Sequence, residues 1–371
     1  MLRDLTIQNY RCFKDFHIDE LARVNLIVGQ NNSGKTTFLE AIYLLVNEGN
    51  IQSLLEVLKS RGELTTEPSR QRNGEVVSQR NYQILHIFYG HQLNNFDGAI
   101  HIHSTKEHPL SLKIQPNPIA QQLTLPLPGL EDLVPGGDLF GVLVVSYGQY
   151  TPIRIPIRTD GTIGDSRYLR LGNASKLLFP LGSSTENNFL TTTNKSFAEL
   201  SVLWDRITLT PKEQSVVEAL QILEPDVERI SFTSRQTSNS GILLKLRNQP
   251  HPVPLGSMGD GMRRILSIAM AAVSSENGFL WVDEIDTGLY YQTQTDMWRL
   301  IFETAQRLNV QVFATTHSWD CIAAFQEALE QSEDSSVGKL FRLSRRGEDI
   351  RAVEYTPDEL SVAVRQSIEV R

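Results

Sequence analysis

The sequence predicts an α/β protein with a mixed β-sheet core, an antiparallel β lobe and a helical lobe, on three observations. An apolar run from Val24 to Val28 reads as a buried strand. It leads into Gly29-Gln30-Asn31-Asn32-Ser33-Gly34-Lys35-Thr36-Thr37 and then into Phe38 to Val46, whose apolar residues recur at helical spacing until Gly49. Two further short apolar runs, Phe279 to Val282 and Val310 to Thr315, each deliver polar residues at their carboxyl ends, as strands of a parallel sheet do at a ligand edge.

Ahead of the glycine loop, Leu5 and Ile7, then Phe13, Phe16 and Ile18, alternate with polar neighbours and predict two antiparallel strands joined near Tyr10-Arg11-Cys12. Behind it, Ser53 to Leu58 predicts a short helix, and the polar stretch Glu63 to Gln83, with Arg61, Arg70, Arg72 and Arg80, a solvated loop. Ile84 to Tyr89, Ala99 to His103, Leu110 to Ile114, Gly141 to Tyr147 and Ile153 to Ile157 read as strands. Pro116 to Gly137 reads as a surface excursion rich in proline and glycine.

The middle of the chain turns helical. Thr210-Pro211-Lys212-Glu213 has the letters of a capping box with proline at the first helical position. Strands over Val227 to Phe232 and Ile242 to Leu246 follow, with an apolar helix over Met262 to Val273 and another over Met297 to Leu308. A hairpin at Arg346-Gly347 and a helix from Pro357 close the sequence. The expected organisation is one domain over residues 1–371. Its nucleotide-binding core takes 1–50 and 255–345, with a mostly β insertion at 51–160, a helical and strand lobe at 161–254, and a carboxy-terminal hairpin and helix at 346–371.

The glycine loop fits G-x-x-x-x-G-K-[ST], and its strand and helix flanks are the context that motif needs. Gly29 and Gly34 permit a tight turn whose N–H groups converge on an anion, and the following helix adds its positive end. Lys35 is placed to reach the β- and γ-phosphates of ATP, and the Thr36 hydroxyl to ligate Mg²⁺. Asp283 can hold the same ion, while Glu284 can polarise the attacking water. His317, one strand later, can hydrogen-bond the γ-phosphate. Ser257-Met258-Gly259-Asp260-Gly261-Met262-Arg263-Arg264 offers a second anion-binding turn. One γ-phosphate does not need two cradles from one subunit, so the economical reading gives Ser257 and Gly259 to the nucleotide of a second copy. His86, His91, His101, His103 and His108 crowd into one β region, but their spacing matches no standard zinc site and favours a polar sheet face.

With 371 residues and a net charge of −8, the chain has ample core and no general attraction to nucleic acid or acidic membranes. Cys12 and Cys321 are too few for a disulfide framework and fit a reducing compartment. No signal peptide and no apolar run of membrane-spanning length is visible, so a soluble cytoplasmic location without membrane partners is expected.

Taken in order, the motifs resemble the ATPase heads of the ABC superfamily, in the RecF, SMC and OLD-like branch. Asn9-Tyr10-Arg11-Cys12-Phe13, the glycine loop with Asn31, Ser257 to Arg264, and Asp283 to Leu289 followed by His317 carry the likeness. The resemblance implies a P-loop NTPase that dimerises head to tail around two ATP–Mg²⁺. Lys35, Thr36, Asp283, Glu284 and His317 of one copy would face Ser257 and Gly259 of the other, with Gly29, Asn31, Asn32, Ser33, Gly34 and Thr37 also binding the nucleotide, and Arg11 would touch phosphate. Asp286-Thr287-Gly288-Leu289 looks like the loop coupling the two sites. Met258 and Asp260 depart from the family's Leu-Ser-Gly-Gly, and Tyr290 stands where many members have Asp. Gln92 and Gln149 are the candidates for the glutamine loop. The long SMC arms and an OLD-type nuclease domain are absent from this sequence. The implied function is an ATP-hydrolysing switch beside a separate effector such as a nuclease, in DNA repair or phage defence. A RecF-like DNA-binding ATPase and a nucleotide-gated scaffold with little turnover are the alternatives.

Overall fold

The computed structural model describes residues 1–70, 76–91, 98–116, 139–164, 188–191, 195–233 and 241–371. The amino-terminal hairpin is β1 (Leu5–Tyr10) with β2 (Phe13–Ile18), followed by β3 (Val24–Val28), the glycine loop and α1 (Lys35–Val46). α2 (Ile51–Ser60) starts at an Asn50 cap whose side chain accepts from the Gln52 N–H. Next come β4 (Leu64–Arg70) and β5 (Val76–Gln83), then β6 (Ile100–Ser104), β7 (Glu107–Pro116), β8 (Leu139–Tyr147), β9 (Ile153–Arg158) and β10 (Thr162–Gly164). β1, β2 and β6 to β9 form one antiparallel sheet in the order β2-β1-β6-β7-β8-β9.

The second half runs β11 (Asn188–Leu190), α3 (Phe197–Ile207), α4 (Pro211–Gln221), β12 (Val227–Thr233), β13 (Gly241–Leu246) and β14 (Val253–Pro254). A short 3₁₀ turn at Leu255–Met258 then leads into α5 (Asp260–Ser274). β15 (Phe279–Val282), α6 (Tyr291–Arg307), β16 (Gln311–Thr316), α7 (Trp319–Glu330), β17 (Gly338–Arg346), β18 (Asp349–Tyr355) and α8 (Pro357–Arg365) complete it. The central sheet has the order β11-β15-β16-β3-β17-β18, parallel except for β18. The β17–β18 hairpin is therefore part of the central sheet. β16 lies between the strand that feeds the glycine loop and the strand that ends in Asp283, so three carboxyl ends open on one edge.

Period-two alternation splits the core into two. Leu26, Val28, Leu280, Val282, Val312 and Ala314 pack with the helices α3 to α8. Ile27, Phe279, Trp281, Phe313 and Phe341 point the other way, onto α1 and the antiparallel sheet. This two-sided burial is why the central strands read as continuous apolar runs.

Three expectations are corrected. Leu64–Arg70 and Val76–Gln83, expected as loop, are strands: β4 and β5 pair antiparallel and β10 extends the pair. Cross-strand bonds and the buried Tyr82 and Ile163 hold it, so polar composition hid it. Residues 84–89 are not a strand. Leu85–Ile87 and Tyr89–His91 are 3₁₀ turns, because Ile84 and Ile87, three apart, are both buried and the Ile87 carbonyl accepts from the Arg11 N–H. At α4 the Thr210 hydroxyl accepts from the Lys212 N–H while Glu213 accepts from the Leu209 N–H, so reciprocal capping of Thr210 and Glu213 does not form. Full capping boxes occur instead at Ser196/Glu199 and Thr356/Glu359. Arg72, Gln92 and most of the 116–137 excursion lie outside the described residues.

Buried Gln311 ties the amino terminus to the central sheet. Its Oε1 accepts from the Leu2 N–H at 2.7 Å, and its Nε2 donates to the Leu2 and Ala22 carbonyls at 2.9 and 2.8 Å. Gln311→Ala leaves those backbone groups without partners and should lower stability by about 2–3 kcal/mol. Urea unfolding tests this; an unchanged midpoint would refute it.

Candidate nucleotide site

The glycine loop turns back on itself at the end of β3. Gly29 has φ 148, and a Cβ there would stand 2.7 Å from both the Leu343 carbonyl and the Ser33 hydroxyl. Gly34 has φ 97 and is wedged against Cys12 and Phe13. Both positions require glycine, and Asn32 is also left-handed, at φ 63. Asn31 and Asn32 are exposed. Ser33 is buried, and among the described residues its hydroxyl has no hydrogen-bond partner. Thr37, one turn into α1, is buried and accepts from Arg61 Nη2 at 3.4 Å.

The reactive side chains meet across three strands. Lys35 Nζ donates to the Gly29 and Gln30 carbonyls at 2.8 and 3.0 Å, folding the ammonium over the loop. Burial draws its pKa below the ordinary lysine value, against the pull of Asp283 and Glu284. The Thr36 hydroxyl donates to Asp283 Oδ2 at 2.8 Å, and the Thr315 hydroxyl to Asp283 Oδ1 at 2.5 Å. Thr315 Oγ1 also accepts from the Glu284 N–H at 2.8 Å. The Glu284 carboxylate stands 3.5 Å from His317 Nδ1, both side chains partly exposed. Thr316 donates to Asp286 at 2.6 Å, fixing the loop after β15.

Hard oxygen ligands on Thr36 and Asp283, adjacent and partly shielded, fit Mg²⁺. The unpartnered Ser33 hydroxyl and the left-handed glycines fit the phosphates of a nucleotide.

Ser257 and Gly259 stand apart from this cluster. Among the described residues neither bonds to it; both are exposed, and Gly259, at φ 91, has open space around it. Their turn packs on the Asp286–Leu289 loop, since a Cβ on Gly261 would lie 3.0 Å from the Gly288 carbonyl.

Arg11 is engaged by two carboxylates. Its Nη1 and Nη2 donate to Glu63 at 2.7 and 2.9 Å, and its Nε lies 3.0 Å from Glu40 on α1. Arg61 Nε donates to the other Glu40 oxygen at 2.6 Å. The resemblance implied a phosphate contact for Arg11; here two carboxylates occupy its guanidinium. Gln149 is exposed in the turn between β8 and β9. His101 and His103 are exposed on one face of β6, and among the described residues no three metal-ligating side chains cluster.

Sequence reasoning missed Thr315 and the inward course of Arg264, whose guanidinium binds backbone behind the acids. A threonine in a buried strand next to the acid-bearing strand was the available signal for Thr315.

The AAA ATPase domain family matches residues 1–208 and 182–322. The chain belongs to that family. An ATP/GTP phosphatase of Helicobacter pylori is 23% identical over 364 residues, covering 93% of each chain. The DNA replication and repair protein RecF of Thermomicrobium roseum is 32% identical over 91 residues, 24% of this chain and 23% of that one. An SMC head solved with the C-winged helix domain of ScpA aligns over 96% of this chain and 97% of its own at 14% identity, with a TM-score of 0.48. The family read from the motifs, an ATPase head with RecF among its relatives, is thus borne out. No helix among the described residues is long and apolar enough to cross a membrane.

Thr315→Val removes both bonds made by that hydroxyl beside a buried carboxylate and should cost about 2 kcal/mol. It should also weaken Mg²⁺–nucleotide binding, read by fluorescence of a labelled ATP. Affinity and melting temperature both equal to wild type would count against this role.

Proposed function

We propose that this protein is an ATP-hydrolysing molecular switch. The observation that carries the reading is the chain of direct contacts from Thr36 through Asp283 and Thr315 to Glu284 and His317 at one sheet edge, with Lys35 folded over the glycine loop beside it. Mg²⁺ held by Thr36 and Asp283 would neutralise charge on the β- and γ-phosphates. The Lys35 ammonium binds the same oxygens once it turns from the Gly29 and Gln30 carbonyls. Glu284 orients a water in line with the γ-phosphorus and accepts its proton. His317, 3.5 Å from that carboxylate, follows the γ-phosphate and marks its loss.

A second copy completes the enclosure head to tail, bringing Ser257 and Gly259 to the γ-phosphate. Their exposure and the open backbone at Gly259 support this. ATP then clamps the dimer and hydrolysis releases it, because the γ-phosphate contacts exist only before cleavage. The work of the switch falls on a separate effector, such as a nuclease. A setting in DNA repair or phage defence follows from the family resemblance, and the RecF relative's name supports the first of these.

One observation favours a second reading, direct DNA contact. A cavity of about 510 Å³ beside Gln30 to Ser33 is lined by Arg342, Arg345, Arg346 and Arg371. This local positive charge stands against the acidic whole. The scaffold reading, with little turnover, rests on the altered Ser257 block.

Lys35→Ala should weaken ATP binding on the order of 100-fold. Glu284→Gln should slow turnover by about 10²–10⁴-fold while an ATP-bound dimer accumulates in light scattering. A monomer at saturating ATP would refute the clamp, and wild-type turnover no faster than that of Glu284→Gln would select the scaffold. Duplex DNA affinity falling steeply with salt, and lost in Arg345→Glu/Arg346→Glu, would select the second reading.

A further inference from the structure

We propose that Arg264 is a positioning residue for Glu284, joining the Ser257 turn to the catalytic carboxylate of the same subunit; this rests on the hydrolytic role given to Glu284 above. Arg264 lies in the first turns of α5 and is 1% exposed. Its Nη1 donates to the Thr191 carbonyl at 2.9 Å, just past β11. Its Nη2 donates to the carbonyls of Asp283 and Glu284 at 2.9 and 2.8 Å. Among the described residues no carboxylate pairs with it directly; its hydrogen bonds go to main-chain carbonyls.

What it grips is an unusual stretch of backbone. Glu284 has φ 46, a left-handed conformation that costs an ordinary residue on the order of 1 kcal/mol. Its N–H is held by Thr315 and its carbonyl by Arg264, so the peptide groups on both sides are pinned. That pinning sets the direction in which the carboxylate leaves the chain. A planar guanidinium can serve three carbonyls at once; an ammonium is a single point with different reach.

The position of Arg264 supplies the link. α5 begins at Asp260, directly after Ser257 and Gly259, and four residues of helix span about 6 Å. A shift of that turn on meeting a nucleotide therefore moves a rigid helix whose buried guanidinium holds the Glu284 main chain. The occupancy of one site in the dimer is thereby reported to the acid of the other.

The test is steady-state ATP hydrolysis by Arg264→Lys, with Arg264→Lys/Glu284→Gln beside it. The expected result is a kcat about 10–100-fold lower with KM and ATP affinity within about threefold of wild type. In the Glu284→Gln background the same change should alter the residual rate by less than about twofold, because its effect passes through the group already removed. Equal losses in both backgrounds, a normal kcat, or a matching loss of ATP affinity would overturn the inference. If Arg264→Lys does not fold, Arg264→Ala with free methylguanidinium replaces it. Recovery of kcat supports the role, and no recovery opposes it. Should Glu284→Gln itself turn over at the wild-type rate, the catalytic assignment fails first. Should Glu284→Gln be slow and Arg264→Lys normal, only the positioning role fails.

Discussion

The buried carboxylate of Asp283 organises the site. It ends one central strand, accepts a hydroxyl bond from Thr315 on the neighbouring strand, and accepts another from Thr36 at the start of the helix that follows the third. A desolvated carboxylate is costly unless its lone pairs are met, so its two hydroxyl partners are part of what allows an acid there at all. The same two bonds set the distance between the glycine loop and the acids. Thr315 extends the arrangement by one more step, since its oxygen also receives the Glu284 N–H.

That constraint works only because the surrounding sheet is rigid. The strands that carry Asp283, Thr315 and the glycine loop are buried on both faces, one face against helices and the other against α1 and the antiparallel sheet. Close packing of this kind resists small displacements, and the exposed Ser257 turn lies outside it.

The central elements were legible in the sequence because their physics is local. Apolar runs such as Val24 to Val28 and Phe279 to Val282 mark doubly buried strands, and two glycines before Lys-Thr mark a phosphate turn. What escaped was decided at long range. The resemblance gives Arg11 to phosphate, and the sequence holds no sign that Glu63, fifty-two positions away, takes both its amino groups. The polar hairpin of β4 and β5 is held by cross-strand pairing and a few buried residues, which composition does not reveal. Arg264 reads as the end of an anion-binding turn, and only the course of α5 brings its guanidinium to the carbonyls behind the acids.

The pairing of Glu40 with Arg11 and Arg61 has a mechanical consequence. Glu40 sits on the phosphate-loop helix, whereas Arg11 belongs to the amino-terminal hairpin and Arg61 follows α2. Glu40 is 1% exposed and the Arg11 side chain 10%, so dissolved ions screen that pair little, whereas the Arg61 side chain, 34% exposed, is screened more. The antiparallel sheet and the helix behind the glycine loop are thus tied together at one carboxylate, so neither can move at Glu40 without straining the other.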